Sequence, residues 1–135
     1  AGVVVQTRET VQLHARSDGD LLWKRNLDGN VTDSTPAVAT GTVFAADEQE
    51  SLHALSLSTG ETQWTAPFDG ETTPVVAEDR VYAVDSQWAL KAFDSTTGEQ
   101  QFEYQPSEVP LSPPMVGDGV LYLANRGQVL ALEAT

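Results

Sequence analysis

The chain has 135 residues, 40% of them hydrophobic and 20% charged, which is enough apolar material for a packed core and argues against disorder. Twenty acidic residues face seven basic ones, and the net charge of −13 repels phosphate backbones and anionic membrane surfaces. There is no cysteine, so disulfides, thiolate-bound zinc, iron–sulfur clusters and a thiol nucleophile are excluded.

In chain order, the first stretch is GVVVQTRETVQLHARSDGDLLW, Gly2–Trp23. Its opening, AGVVVQTRE, turns polar too soon for a signal peptide, and no later run approaches the roughly 18 apolar residues that span a bilayer. The next stretch, TPAVATGTVFAAD (Thr35–Asp47), returns 38 residues later as TPVVAEDRVYAVD (Thr73–Asp85), with seven of thirteen positions identical. Extended to Trp64 and Phe102, the match is 14 of 30. A last copy begins PMVGDGVLYLANRGQVLALEA, Pro114–Ala134. The unit is near 39 residues, with copies near 2–33, 34–72, 73–111 and 112–135 in one domain, 1–135.

Each full unit reads as four short strands. AVAT or VVAE comes first, and a two-residue turn follows at 40–41, 78–79 and 118–119. TVFAAD or RVYAVD, rich in β-branched and aromatic residues, comes next. SLHALSL or ALKAFDS is third, and a T-G turn leads into ETQWTA or EQQFEY. No segment sustains a helical period. Four strands per unit with polar connections predict an all-β fold of antiparallel β-propeller blades. The first copy lacks its inner strand and the last its outer one, giving about three and a half blades.

The glycines 19, 60 and 98 are each followed four residues later by Trp23, Trp64 or Phe102. The expected purpose is structural: glycine for a positive φ in the turn, and an aromatic packed between blades. Ala15, Ala54, Ala92 and Ala131 are aligned as the small residue that leaves room for it. On that alignment the third turn of copy one is two residues short, Arg16–Asp20 (RSDGD) is an Asp-Gly hairpin, and His14 matches His53. The same slot holds Lys91 and Leu130, so it reads as a tolerant strand position rather than a metal ligand.

The segment TPVVAEDRVYAVDSQWALKAFDSTTGEQQF resembles the PQQ-like, quinoprotein-type β-propeller repeat: a Pro-led strand, then V-Y-V, L-x-A-L-D and x-T-G-x-x-x-W. The resemblance covers nearly the whole chain, and copy three has Phe102 where the family has Trp. It implies a partial propeller, or one closed by oligomerisation. In the family's dehydrogenases, pyrroloquinoline quinone (PQQ) and calcium sit on the axis of a complete eight-bladed ring, with an Asp as base. Many also carry a vicinal Cys pair that this chain lacks. None of its residues matches that site, so no catalytic, cofactor-binding or metal residue is assigned, and PQQ is expected only in a complete propeller.

Three residues stand outside the repeat logic. Trp88 falls in the turn between the second and third strands, and Arg126 lies close to the matching turn of the last copy. Together they form an expected contact surface on the rim, since exposed aromatics concentrate at interfaces. Asn30 opens an N-V-T sequon, a glycosylation acceptor in an exported protein.

The excess of acid, with only Lys24 and Lys91 as lysines, points to a high-salt organism, where screening removes self-repulsion. The expected function is a non-catalytic scaffold for protein–protein interaction at the cell envelope of a halophile, or outside the cell. The alternatives are a fragment of a PQQ-dependent dehydrogenase, a ligand-sensing domain of a signalling protein, and a cytoplasmic location. Three and a half blades do not close a ring, so either the chain is part of a longer propeller or copies associate. Nucleic acid and membrane insertion are not expected.

Overall fold

The computed structural model describes residues 2–7, 9–26, 36–47, 49, 51–69, 74–87, 89–104, 115–117, 120–124 and 129–133. They form four antiparallel sheets and, among the described residues, no helix. Blade 1 holds β1 (Gly2–Gln6), β2 (Thr10–Ala15) and β3 (Leu21–Asn26). Blade 2 holds β4 (Ala37–Ala39), β5 (Thr42–Ala46), β6 (Ser51–Ser56) and β7 (Thr62–Pro67). Blade 3 holds β8 (Val75–Ala77), β9 (Arg80–Val84), β10 (Leu90–Asp94) and β11 (Gln100–Tyr104). Blade 4 holds β12 (Met115–Gly117), β13 (Val120–Ala124) and β14 (Val129–Glu133). In every blade the strands follow chain order across the sheet. The three-residue inner strands β4, β8 and β12 touch in turn, so the sheets are arrayed as successive blades of a partial β-propeller.

The core described lies largely between blades, because the facing sides of blades 1, 2 and 3 are apolar and bury one another. Phe44, Leu52, Ala54, Trp64 and Phe68 of blade 2 meet Val81, Ala83 and Phe93 of blade 3. Val4, Val11 and Trp23 of blade 1 meet Val43, Ala45 and Leu55 of blade 2. Trp23 lies over Gly60, and its indole N–H donates to the Leu57 carbonyl at 2.8 Å. Trp64 lies over Gly98 and donates to the Ser95 carbonyl at 2.9 Å. A Cβ built on Gly98 would sit 2.5 Å from the Trp64 ring, and its φ of +78° is left-handed, so the seat requires glycine twice over. Phe102 has no N–H and instead meets Tyr82 edge-on at 6.4 Å.

Strand register corrects the alignment of the first copy. Phe44 pairs with Ala54 and Ala54 with Trp64; in blade 3 the same places hold Tyr82, Ala92 and Phe102. In blade 1 they hold Val4, Leu13 and Trp23. The residue opposite Trp23 is therefore Leu13, not Ala15. A bulge follows at the same point in all three: Leu13/His14, Ala54/Leu55 and Ala92/Phe93.

The third turn of copy one is also not shortened. Gly19 N donates to Ala15 O and Ala15 N donates to Asp20 O; the same pair of bonds links Ser56 with Gly60 and Glu61, and Asp94 with Gly98 and Glu99. Arg16–Asp20 is thus the same turn as the others, not a two-residue hairpin. Leucine fits where alanine was expected because Val4 is smaller than Phe44 or Tyr82, so the summed volume across the strand pair is nearly kept.

The turn of blade 3 has an added anchor. Asp94 Oδ1 accepts the amides of Thr97 and Thr96 at 2.9 and 2.8 Å. The Thr97 bond and then the Thr96 bond hold this carboxyl below its ordinary pKa of 3.8. A depressed folded value means the contribution is present above the unfolded value and is lost as pH falls through the folded one. An NMR titration is expected to place Asp94 below 3.8; a value at or above it contradicts the anchor.

Candidate functional site

Two features bring polar chemistry or open surface together. The first is a carboxylate with a basic partner, at the turn between the second and third strands of a blade. Asp47 follows β5 directly, and its Oδ1 accepts the amides of Gln49 and Ser51 at 2.9 and 3.0 Å. Its Oδ2 lies 2.5 Å from His53 Nε2, with the two side chains 0% and 4% exposed. Blade 3 repeats the arrangement: Asp85 Oδ1 accepts Gln87 and Ala89, and Oδ2 meets Lys91 Nζ at 3.2 Å. A buried carboxylate needs such partners, since taking it from water unpaired costs several kcal/mol.

His53 is therefore the buried hydrogen-bond partner of Asp47 and not a tolerant strand position. The spacing Asp-x5-His/Lys in adjacent copies was the available signal. His14 does not match it: Gln12 pairs with Val5 as His53 does with Ala45, and His14 bonds the Gly19 carbonyl and Gln12 Oε1 at 3.0 and 2.8 Å.

The second feature is an apolar groove of about 710 Å³. Gly2 and Val4 of β1, Leu13 of β2, Pro36 and Val38 beside and on β4, and Leu57 line it. It runs along the edge of β1 opposite β2, which has no strand partner among the described residues. A sheet edge of that kind, next to apolar lining, is suited to receiving an added strand.

Of the residues read from the sequence as surface candidates, Trp88, Arg126 and Asn30 lie outside the described residues. Trp23 and Trp64 are placed at the blade joints described above, and Phe102 packs on Tyr82 within blade 3. Among the described residues no three His, Asp or Glu side chains converge as a metal site. The described inner strands carry Ala37, Val38, Ala39, Val75, Val76, Ala77 and Met115, which offer no side-chain donor to a quinone carboxylate or to calcium. No residue of those strands is assigned to PQQ, and no step is derived through it. No helix among the described residues is long and apolar enough to cross a membrane.

Comparison with known proteins shows the fold clearly. BamB from Moraxella catarrhalis superposes with a TM-score of 0.82 at 20% identity, over 98% of this chain and 43% of that one. The computationally designed Ika4 protein gives 0.81 at 16% identity, over 99% of this chain and 86% of that one. Quinohemoprotein alcohol dehydrogenase from Comamonas testosteroni gives 0.65 at 19% identity, over 79% and 20%. The chain thus spans under half the length of the natural relatives it resembles. No curated protein matches the sequence. A family model described as outer membrane protein assembly factor BamB matches residues 7–135, nearly the whole chain, and the protein belongs to that family of PQQ-like β-propeller repeats.

Proposed function

We propose that residues 1–135 form a single partial-propeller domain, with repeats near 2–33, 34–72, 73–111 and 112–135, that acts as a non-catalytic scaffold for other proteins at the cell envelope of a halophile. The supporting observation is the groove beside the open edge of β1. An extended apolar segment of a partner adds to such an edge as a strand: its backbone pairs with β1, and alternate side chains fill the groove. Family membership supports protein binding, and the acid excess supports the salt-rich setting. Self-association that completes the ring belongs to the same reading.

The test is an NMR titration with an eight-residue peptide of alternating Val and Thr. Amide shifts confined to β1, with new exchange protection there, are the expected result. Shifts spread evenly over all blades, or none at millimolar peptide, would reject strand addition. Saturable absorbance changes with PQQ and calcium, accompanied by dye reduction, would instead favour the dehydrogenase reading. The salt setting has its own check: with a net charge of −13, the melting temperature is expected to rise by about 10 °C between 0.1 and 2 M KCl. A flat response removes the halophile.

A further inference from the structure

We infer that the cavity between blades 2 and 3 binds a guanidinium group carried on a short apolar stem, a ligand that strand addition at β1 does not involve. The cavity holds about 410 Å³ and lies between two complete four-stranded sheets. Glu78 and Asp79, in the turn from β8 to β9, border it, and Thr42, Gln63, Ser95 and Thr96 add hydroxyls and an amide. Phe44 and Val76 are among its apolar walls. Its size and its mixture of apolar wall and convergent polar groups are those of a small-ligand site. Glu78 and Asp79 have no ion pair among the described residues, and no basic side chain lines the cavity with them. Thr40 and Glu78, the two non-glycine residues with positive φ among those described, both border it, and backbone of that kind gathers at ligand sites.

The other joints show that this chemistry is not a by-product of the fold. The groove between blades 1 and 2 occupies the matching place: Leu57 N donates to Gly41 O there as Ser95 N donates to Asp79 O here. Register matches Gly2 with Thr42, and Leu22 and Gln63 each stand one residue before a tryptophan. Gly2, Leu22, Gly41 and Leu57 line the first space; Thr42, Gln63, Asp79 and Ser95 line the second. Four places without a polar side chain have become polar or acidic on the same frame. Blade 3 indicates which cation belongs there. Arg80 holds the register place of Thr42, and Gln101 that of Gln63. Arg80 Nε donates to Gln101 Oε1 at 2.7 Å, whereas Gln63 Oε1 accepts the short Thr42 hydroxyl at 3.2 Å. The chain thus sets its own guanidinium against this glutamine in blade 3 and leaves room before it in blade 2, with two carboxylates at the border. The complementary group is a planar cation that donates to Gln63 and to the carboxylates at once, with its stem along Phe44.

The test is an NMR titration of the whole chain in 0.1 M KCl with n-butylguanidinium. Its neutral counterpart n-butylurea and an end-blocked Gly-Gly-Arg-Gly-Gly peptide are the other arms. Saturable shifts at the amides of Glu78, Asp79, Ser95 and Thr96 are expected, with the urea about 10-fold weaker. Glu78→Gln combined with Asp79→Asn, shown folded by circular dichroism, should lower the affinity about 10-fold, and Gln63→Leu about 3-fold. Binding of the peptide makes the source a partner's arginine side chain, and binding of the free compound alone makes it a small molecule; both support the site. Shifts spread over every acidic turn, Asp18 and Asp20 included, would show attraction by the net charge of −13 alone and overturn it. Equal affinity for the urea, no loss in either variant, or no saturation at millimolar ligand overturns it too. None of these results touches strand addition at β1, which the Val and Thr peptide judges separately.

Discussion

Trp64→Ala is expected to destabilise the protein by about 3–5 kcal/mol, the range for removing a large buried aromatic from a core that does not collapse onto the space. Trp64 is 8% exposed, covers Gly98, donates to the Ser95 carbonyl and lies 5.8 Å from Phe44. Its loss opens the joint between blades 2 and 3 through most of its depth. Gly98→Ala attacks the same joint from the other side. It carries about 1–2 kcal/mol for a side chain in left-handed backbone and adds a collision with the rigid indole.

Gly19→Ala provides the contrast: the backbone penalty is the same, but among the described residues nothing lies within 4 Å of where its Cβ would be. Urea unfolding in molar salt should rank the losses Trp64→Ala, then Gly98→Ala, then Gly19→Ala. The double variant of Trp64→Ala with Gly98→Ala should cost less than the sum, since the indole that collides is gone. Equal losses at the two glycines would show that the turn, and not the indole, requires glycine at Gly98.

Asp47→Ala is the second large loss, about 3–5 kcal/mol. It strips two turn amides of their acceptor and leaves His53 buried without its hydrogen-bond partner. Asp85→Ala should cost roughly half as much, because Lys91 is 20% exposed and reaches water when released. Asp47→Asn keeps an acceptor for the amides and a donor for an imidazole nitrogen, so it should recover most of the difference. Thermal melts of the three variants in one salt check the order. An Asp47→Ala protein as stable as Asp85→Ala would mean that burial of the pair contributes nothing.

Much of this fold is legible in the residues. The repeat near 39 residues, the four strands per unit and the pairing of turn glycine with strand aromatic all follow from spacing, because strands of period two and tight turns leave a strong local trace. The misplacement of the first copy shows where spacing stops informing. Alanine at 15 looked like alanine at 54, but register answers to the packing partner across the sheet, and Val4 calls for Leu13 opposite it. The Asp47–His53 and Asp85–Lys91 pairs were missed for a related reason. The acids sit at the close of one strand and their basic partners within the next, so their closeness appears only once the turn is folded. The groove beside β1 was beyond reach, since an empty space is a property of what surrounds it. The expected contact surface of Trp88 and Arg126 and the sequon at Asn30 lie outside the described residues and stay as proposals.

The trade of Phe44 and Ala54 for Val4 and Leu13 has a consequence for the circle these sheets describe. The wedge of side chains between neighbours fixes how far each sheet fans from the last. Because bulk is conserved across a facing pair while its distribution is free, evolution can redraw either member and still keep the same pitch. Enlarging both members, or shrinking both, would change the fan angle and with it the number of sheets that complete a circumference.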